Sequence, residues 1–88
     1  ENALVAYAQE HHRQRALASA VEANRRSVAL ANEQYTRGLG DFLNVLDAQR
    51  SLYTAEDQLV QSERAIIANL IALYKALGGG WEVAPLHQ

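Results

Sequence analysis

Two clusters of glycine divide this chain into two long arms, and the division constrains the fold more than any other feature. Glycine occurs only at positions 38, 40, 78, 79 and 80, and the single proline is Pro85. Because glycine and proline punctuate regular structure, the clusters leave two uninterrupted segments of equal length, 1–37 and 41–77. Both segments are rich in residues that favour helix. The sequence therefore predicts an all-α fold, a long antiparallel hairpin of coiled-coil type with a turn at 38–40 and a glycine-rich tail at 78–88.

The second arm carries three columns of residues that recur every seven positions. The Val45 column is Val45, Leu52, Leu59, Ile66 and Leu73; the Leu46 column is Leu46, Tyr53, Val60, Ile67 and Tyr74; the small column is Ala48, Ala55, Ser62, Asn69 and Ala76. A strict seven-residue repeat indicates left-handed supercoiling against a neighbour. Two adjacent large columns form a face wider than one partner helix covers, and the small column would admit a further backbone. We therefore expect this helix to contact more than one neighbour, as in a barrel of helices.

The first arm carries a thinner seam. The residues of this seam are separated alternately by four and three positions. They are Leu17, Val21, Asn24, Val28, Ala31 and Tyr35, and Gln14, Glu10 and Tyr7 continue the same spacing towards the start of the chain. A hairpin with one broad apolar arm and one thin apolar arm cannot bury all of its large side chains by itself.

The joint TRGLGD, residues 36–41, combines signals that end one helix and begin another. Gly38 fits the position just past a helix end, where the left-handed conformation is inexpensive only for glycine. Arg37 lies where the helix dipole favours a cation. Asp41 is a predicted N-cap, because its carboxylate can accept hydrogen bonds from the amides of residues 43 or 44. By itself such a turn requires no function.

Asp47 is an acid beside the apolar residues Val45 and Leu46, and it allows two interpretations. Leu43, Asp47 and Arg50 share one stripe of the helix because they are spaced by four and three residues. In the first interpretation the stripe is an ordinary solvated face with a weak Asp47–Arg50 pair. In the second, Asp47 faces the lumen of a ring of helices, where several copies select or repel ions.

Several classes of function are disfavoured. The net charge of −2, with mixed signs, argues against a nucleic-acid partner. The longest apolar run, 65–73, is interrupted by Asn69 and is too short for membrane insertion. Adjacent His11 and His12 point in different directions and do not pair as metal ligands, so we expect no cofactor, no metal and no enzyme activity. The chain opens with Glu1 and has no methionine, so we expect a piece of a longer protein.

Two stretches resemble a known family of export channels. The joint EQYTRGLGDFLNVLDAQRSLYTAEDQL and the segment LIALYKALGGGWE resemble the C-terminal part of TolC-type outer-membrane efflux channels. More narrowly, the chain is similar to the lipoprotein branch that works with resistance-nodulation-division pumps. The resemblance covers residues 1–82, and finding both motifs with helix between them is difficult to obtain by chance.

The resemblance implies a role and a location. Family members are trimers, and each protomer contributes long helices to a periplasmic α-barrel beneath an outer-membrane β-barrel. The present chain would be the last helical hairpin of that barrel, in the periplasm of a Gram-negative bacterium, and its joint would face an adaptor protein and an inner-membrane pump. The implied tip and adaptor-contact residues are Tyr35, Arg37, Gly38, Leu39, Gly40 and Asp41. The implied pore constriction consists of Leu43 and Asp47.

An alternative remains that needs no transport role. Antiparallel hairpins of this length also serve as generic coiled-coil modules for oligomerisation or interaction. The three-column face distinguishes the two possibilities, because a plain hairpin needs a narrower apolar surface than this second arm carries.

We predict that the isolated chain self-associates in solution. Each large apolar side chain left uncovered forgoes about 1.5–3 kcal/mol of burial free energy, and association recovers part of it. Size-exclusion chromatography over a range of concentrations measures this directly. A sharp monomer peak at high concentration would contradict the prediction.

Overall fold

Two antiparallel helices make up the computed structural model, which describes residues 2–78. Helix α1 spans Asn2–Thr36 and helix α2 spans Phe42–Ala76, each with 35 residues. The Cα atoms extend over 65 × 28 × 14 Å, the dimensions of a rod. The predicted all-α hairpin is confirmed. The expected tail at 78–88, including Trp81, lies outside the described residues except for Gly78.

The turn between the helices is built as the sequence predicts. Gly38 has φ of +76°, the left-handed conformation expected just past a helix end. The amide of Leu39 donates to the carbonyl of Gln34 at 2.8 Å, which satisfies one of the last carbonyls of α1. Asp41 has an extended backbone, and its Oδ1 accepts a hydrogen bond from the amide of Leu43 at 3.2 Å. The N-cap prediction for Asp41 is therefore confirmed.

The second glycine of the turn, Gly40, is favoured by close packing rather than by its backbone angles. A Cβ atom on Gly40 would lie 3.3 Å from the Cβ atom of Gln34, tighter than most real contacts. Across the same turn the rings of Tyr35 and Phe42 pack with centroids 5.2 Å apart and planes inclined by 54°. The turn is therefore compact, with backbone hydrogen bonds on the inside and one aromatic pair joining the two helix ends.

The contact between the helices uses the Val45 column and the small column. Val45 is 2% exposed, Ala55 is 6% exposed and Ser62 is fully buried. On the facing helix Val21 is 3% exposed. Because alanine and serine occupy the small column, α1 itself makes the close approach that the sequence led us to expect from a further neighbour.

The seam predicted on α1 agrees with the structure over most of its length. Its half-buried members are Tyr7, Glu10, Gln14, Leu17, Asn24, Val28 and Ala31. Tyr35 departs from the pattern and is 48% exposed, because it lies at the end of α1 and packs sideways on Phe42.

The Leu46 column is left uncovered by the hairpin. Leu46, Tyr53, Val60 and Ile67 are 38%, 64%, 44% and 59% exposed. The column lies about 100° around α2 from the Val45 column, so a single partner helix cannot cover both. The expectation that α2 has more apolar surface than α1 can bury is met within the described chain.

One polar contact crosses the seam in its most buried region. The hydroxyl of Ser62 donates to Oε2 of Glu10 at 2.6 Å, and Nη1 of Arg13 contacts the same oxygen at 2.7 Å. The Glu10 side chain is only 16% exposed. The hydrogen bond from Ser62, followed by that from Arg13, lowers the pKa of Glu10 below its ordinary value of 4.5.

We predict an acid-dependent loss of stability that belongs to Glu10. A lowered pKa in the folded state means that Glu10 contributes stability above pH 4.5 and loses it as the pH falls through the lowered pKa. Urea unfolding followed by circular dichroism between neutral and acid pH should show this decrease. The Glu10→Gln variant should show a flatter profile over the same range.

Glu33→Gln is the matched control for this measurement. It removes an exposed ion pair with Arg37, which lies 3.1 Å away just past the end of α1, and it leaves the seam intact. The control should keep the wild-type acid profile. Equal slopes for wild type and Glu10→Gln would contradict the role of Glu10.

Candidate functional site

A group of large apolar side chains is exposed at the tip of the hairpin. Tyr35, Leu39, Phe42 and Leu43 are 48%, 73%, 47% and 63% exposed. Leu39, between the two glycines, is the most exposed member of the group. Large apolar side chains exposed in one region of a surface mark interaction sites in proteins. The turn is held by hydrogen bonds between its own backbone groups, and its large side chains therefore remain at the surface.

The polar residues of the turn surround the apolar tip. Nη2 of Arg37 lies 3.1 Å from Oε2 of Glu33, and both side chains are more than half exposed. Gly38 and Gly40 shape the backbone, and Asp41 caps α2. The six predicted tip residues all lie at the end of α1, in the turn or at the N-cap of α2.

The stripe formed by Leu43, Asp47 and Arg50 faces water. Asp47 and Arg50 have side chains 73% and 79% exposed, and Asp47 Oδ1 lies 3.9 Å from Arg50 Nη1. A pair with this separation and exposure contributes at most about 1 kcal/mol. Because the stripe faces water and is not buried in the seam, its geometry is compatible with an ordinary solvated face and with a face that lines a lumen.

Helix α2 therefore presents three surfaces of different character. Val45 faces α1, and the Leu46 column lies about 100° around the helix from it. Leu43 and Asp47, two residues before and after Val45, each lie about 200° from it and so face away from α1. A helix packed on the Leu46 column would bury that column and leave Asp47 facing open space.

An open groove on one side of the hairpin is a feature that the sequence analysis missed. It runs along the seam on the tip side and is lined by Ala20, Asn24, Arg50, Ser51, Thr54, Ala55 and Gln58. The amide of Asn24 bonds back to the carbonyl of Ala20 at 2.8 Å, so this side chain adds little bulk to the groove. In the sequence, the groove could have been recognised from the short polar side chains of Ser51 and Thr54, which lie beside the small column.

Metal-ligating side chains are not clustered in the described part of the chain. Within residues 2–78, no three histidine, aspartate or glutamate side chains are placed so that they could hold a metal ion. Neither described helix has an apolar stretch of the length that crosses a membrane.

Sequence comparison identifies a family profile that covers nearly the whole chain and relatives that match about two thirds of it. The profile of the family described as "Outer membrane efflux protein" matches residues 1–79. The pyoverdine export outer membrane protein OpmQ of Pseudomonas putida is 47% identical over 62 residues, 70% of this chain and 13% of that protein. The solvent efflux pump outer membrane protein SrpC of Pseudomonas putida is 43% identical over 56 residues, 64% of this chain and 12% of that protein.

A third relative is also named as an export protein of the outer membrane. The pyoverdine export outer membrane protein OpmQ of Pseudomonas aeruginosa is 42% identical over 62 residues, 70% of this chain and 13% of that protein. The matched region thus spans about an eighth of the length of these relatives. No solved structure matches the chain. With a family match over residues 1–79 and an all-α hairpin fold, the chain belongs to the outer membrane efflux protein family, a family of transport channels rather than enzymes.

Proposed function

We propose that this chain is a periplasmic helical hairpin of a trimeric outer-membrane efflux channel. Its tip narrows the channel and docks the adaptor protein of a tripartite pump. The observation that carries the proposal is the division of α2 into a seam, an exposed Leu46 column and the exposed stripe at Leu43, Asp47 and Arg50. In a wall of adjacent helices, each helix needs one surface for each of its two neighbours and a third surface that faces the water inside the barrel.

The stripe supplies the two elements of a closed mouth. Leu43, 63% exposed, provides an apolar constriction, and Asp47 one turn further along provides a carboxylate. In a trimer three copies of Asp47 would form a negative ring that attracts cations and raises the barrier for anions. Arg50 at 3.9 Å is too loosely paired to neutralise that ring fully.

Opening is proposed to follow from adaptor binding at the tip. The exposed leucine and aromatic side chains of the turn would be covered by the adaptor, and the glycines allow the backbone to adjust. A binding partner shifts a two-state equilibrium only by its differential affinity for the two states. The adaptor must therefore contact the tip more extensively in the open arrangement than in the closed one.

A generic coiled-coil module is the weaker candidate. It accounts for the helices and the seam, but it gives no reason for an exposed acid and an exposed leucine on the side of α2 that is turned away from α1. The family match also concerns efflux proteins of the outer membrane.

Replacing Asp47 in the intact channel tests the gate. Asp47→Ala should raise the leak conductance in planar bilayers and weaken block by divalent cations by about tenfold, which corresponds to about 1.4 kcal/mol of binding free energy. The matched control is Asp57→Ala on the same helix, an exposed acid bonded to Gln61 at 2.8 Å. Single-channel behaviour that is the same for Asp47→Ala and wild type would remove Asp47 from the gate.

Replacing Leu39 tests the docking surface. Leu39→Ser should weaken binding of the adaptor protein by about tenfold or more, since burial of one leucine contributes about 1.5–3 kcal/mol. Binding to the immobilised intact channel can be followed by surface plasmon resonance. Leu30→Ser is the control, because Leu30 is 56% exposed on α1 and lies away from the tip. Equal affinities for both variants and wild type would place docking elsewhere.

A further inference from the structure

The hydrogen bond between Ser62 and Glu10 stands out from the rest of the seam. Ser62 is the one buried polar residue among the described residues, and its partner is 52 positions away in sequence. The Oγ–Oε2 distance of 2.6 Å is that of a strong, charge-assisted bond. Arg13 approaches the same carboxylate from the solvent side at 2.7 Å. The bond joins the two helices at a point far from the turn.

The apolar part of the seam does not define the alignment of the helices uniquely. The Val45 column repeats every seven residues with valine, leucine and isoleucine, so a shift of seven positions presents nearly the same surface to α1. In the small column Ala48 and Ala55 are identical, and Ser62 is the first member that differs. Polar residues at seam positions are known to select one register among several.

The covalent turn fixes the alignment at one end only. In the half nearer the turn, the two helices are held across the seam by apolar packing and by an exposed ion pair of Arg25 with Glu56 at 3.5 Å. The far half is held by the Ser62–Glu10 bond and by a longer bond from Asn69 to the carbonyl of Ala6 at 3.4 Å. The buried polar contacts are thus concentrated where the turn exerts least control.

We propose that the Glu10–Ser62 bond is a register lock, which fixes the axial alignment of the far half of the hairpin independently of the turn. A shift of seven residues in one direction would place Glu10 opposite Ala55, which offers no donor. The opposite shift would bring Glu10 level with Asn69 but would place Ser62 opposite the apolar side chain of residue 17. Both shifts are disfavoured because they leave the buried hydroxyl of Ser62 without the carboxylate that accepts its hydrogen bond. The lock requires only the hairpin, so its failure would leave the proposals for the gate and the adaptor unchanged.

The test removes the constraint of the turn and measures the register. Seven glycine and serine residues are inserted after Leu39, so that the turn no longer dictates how the helices align. The chain has no cysteine, so cysteines introduced in place of the exposed residues Ser19 and Ala68 carry the only spin labels. Double electron–electron resonance then reports the distance between the two labels, one on each helix. A shift of seven residues changes their axial separation by about 10 Å.

The key variant is the double replacement Glu10→Leu with Ser62→Ala. It replaces a buried polar pair by apolar groups, which is commonly neutral or favourable for stability, so the helices should persist. With the native pair the lengthened chain should give one narrow distance. Without the pair a second distance, displaced by about 10 Å along the axis, should appear while the helical circular dichroism signal is unchanged. Samples are diluted with unlabelled chain so that only distances within one molecule are seen.

Two control variants complete the design. Ser51→Ala makes the same chemical change at an exposed position of α2, and Glu10→Gln keeps a group that can accept from Ser62. Both should keep the single distance. One narrow distance in the double variant would overturn the lock, because the apolar seam would then be sufficient. Several distances with the native pair would equally overturn it.

Discussion

The unequal width of the apolar surfaces on the two helices is the constraint on which the rest of the structure depends. Helix α1 offers a thin seam with glutamine, glutamate and asparagine among its members, whereas α2 carries two adjacent columns of large apolar residues. One partner can cover only one of those columns, so the Leu46 column remains exposed after the hairpin has formed. The expected self-association follows from this imbalance, and so does the proposal that the stripe of Leu43, Asp47 and Arg50 faces a water-filled interior.

The hairpin was predictable from residue type alone because its signals are local. The backbone conformation of Gly38 and the capping bond of Asp41 depend on neighbouring residues, and both follow from the residue types at the joint. The seven-residue spacing also showed that the face of α2 is wider than one helix covers, but it did not show which columns face α1. The role of the small column was less predictable. Spacing shows which residues share a face, but it does not show whether α1 or a further helix packs on that face.

The site was only partly predictable, for reasons that are equally physical. The exposure of Leu43 and Asp47 follows from their angular position on α2 relative to Val45. The Ser62–Glu10 bond could not be inferred, because it joins residues 52 positions apart and depends on the axial alignment of two helices. The groove beside the small column escaped notice for the same reason, since its walls come from both helices.

The length of the hairpin gives it the property of a lever. Each helix of 35 residues is about 52 Å long, and the aromatic pair of Tyr35 and Phe42 ties the two helix ends into one unit. A tilt of about 5° at the end remote from the turn therefore moves the tip sideways by about 4–5 Å, close to the radius of a helix with its side chains. Small angular changes near the root of such an arm are converted into displacements large enough to open or obstruct a passage for small molecules.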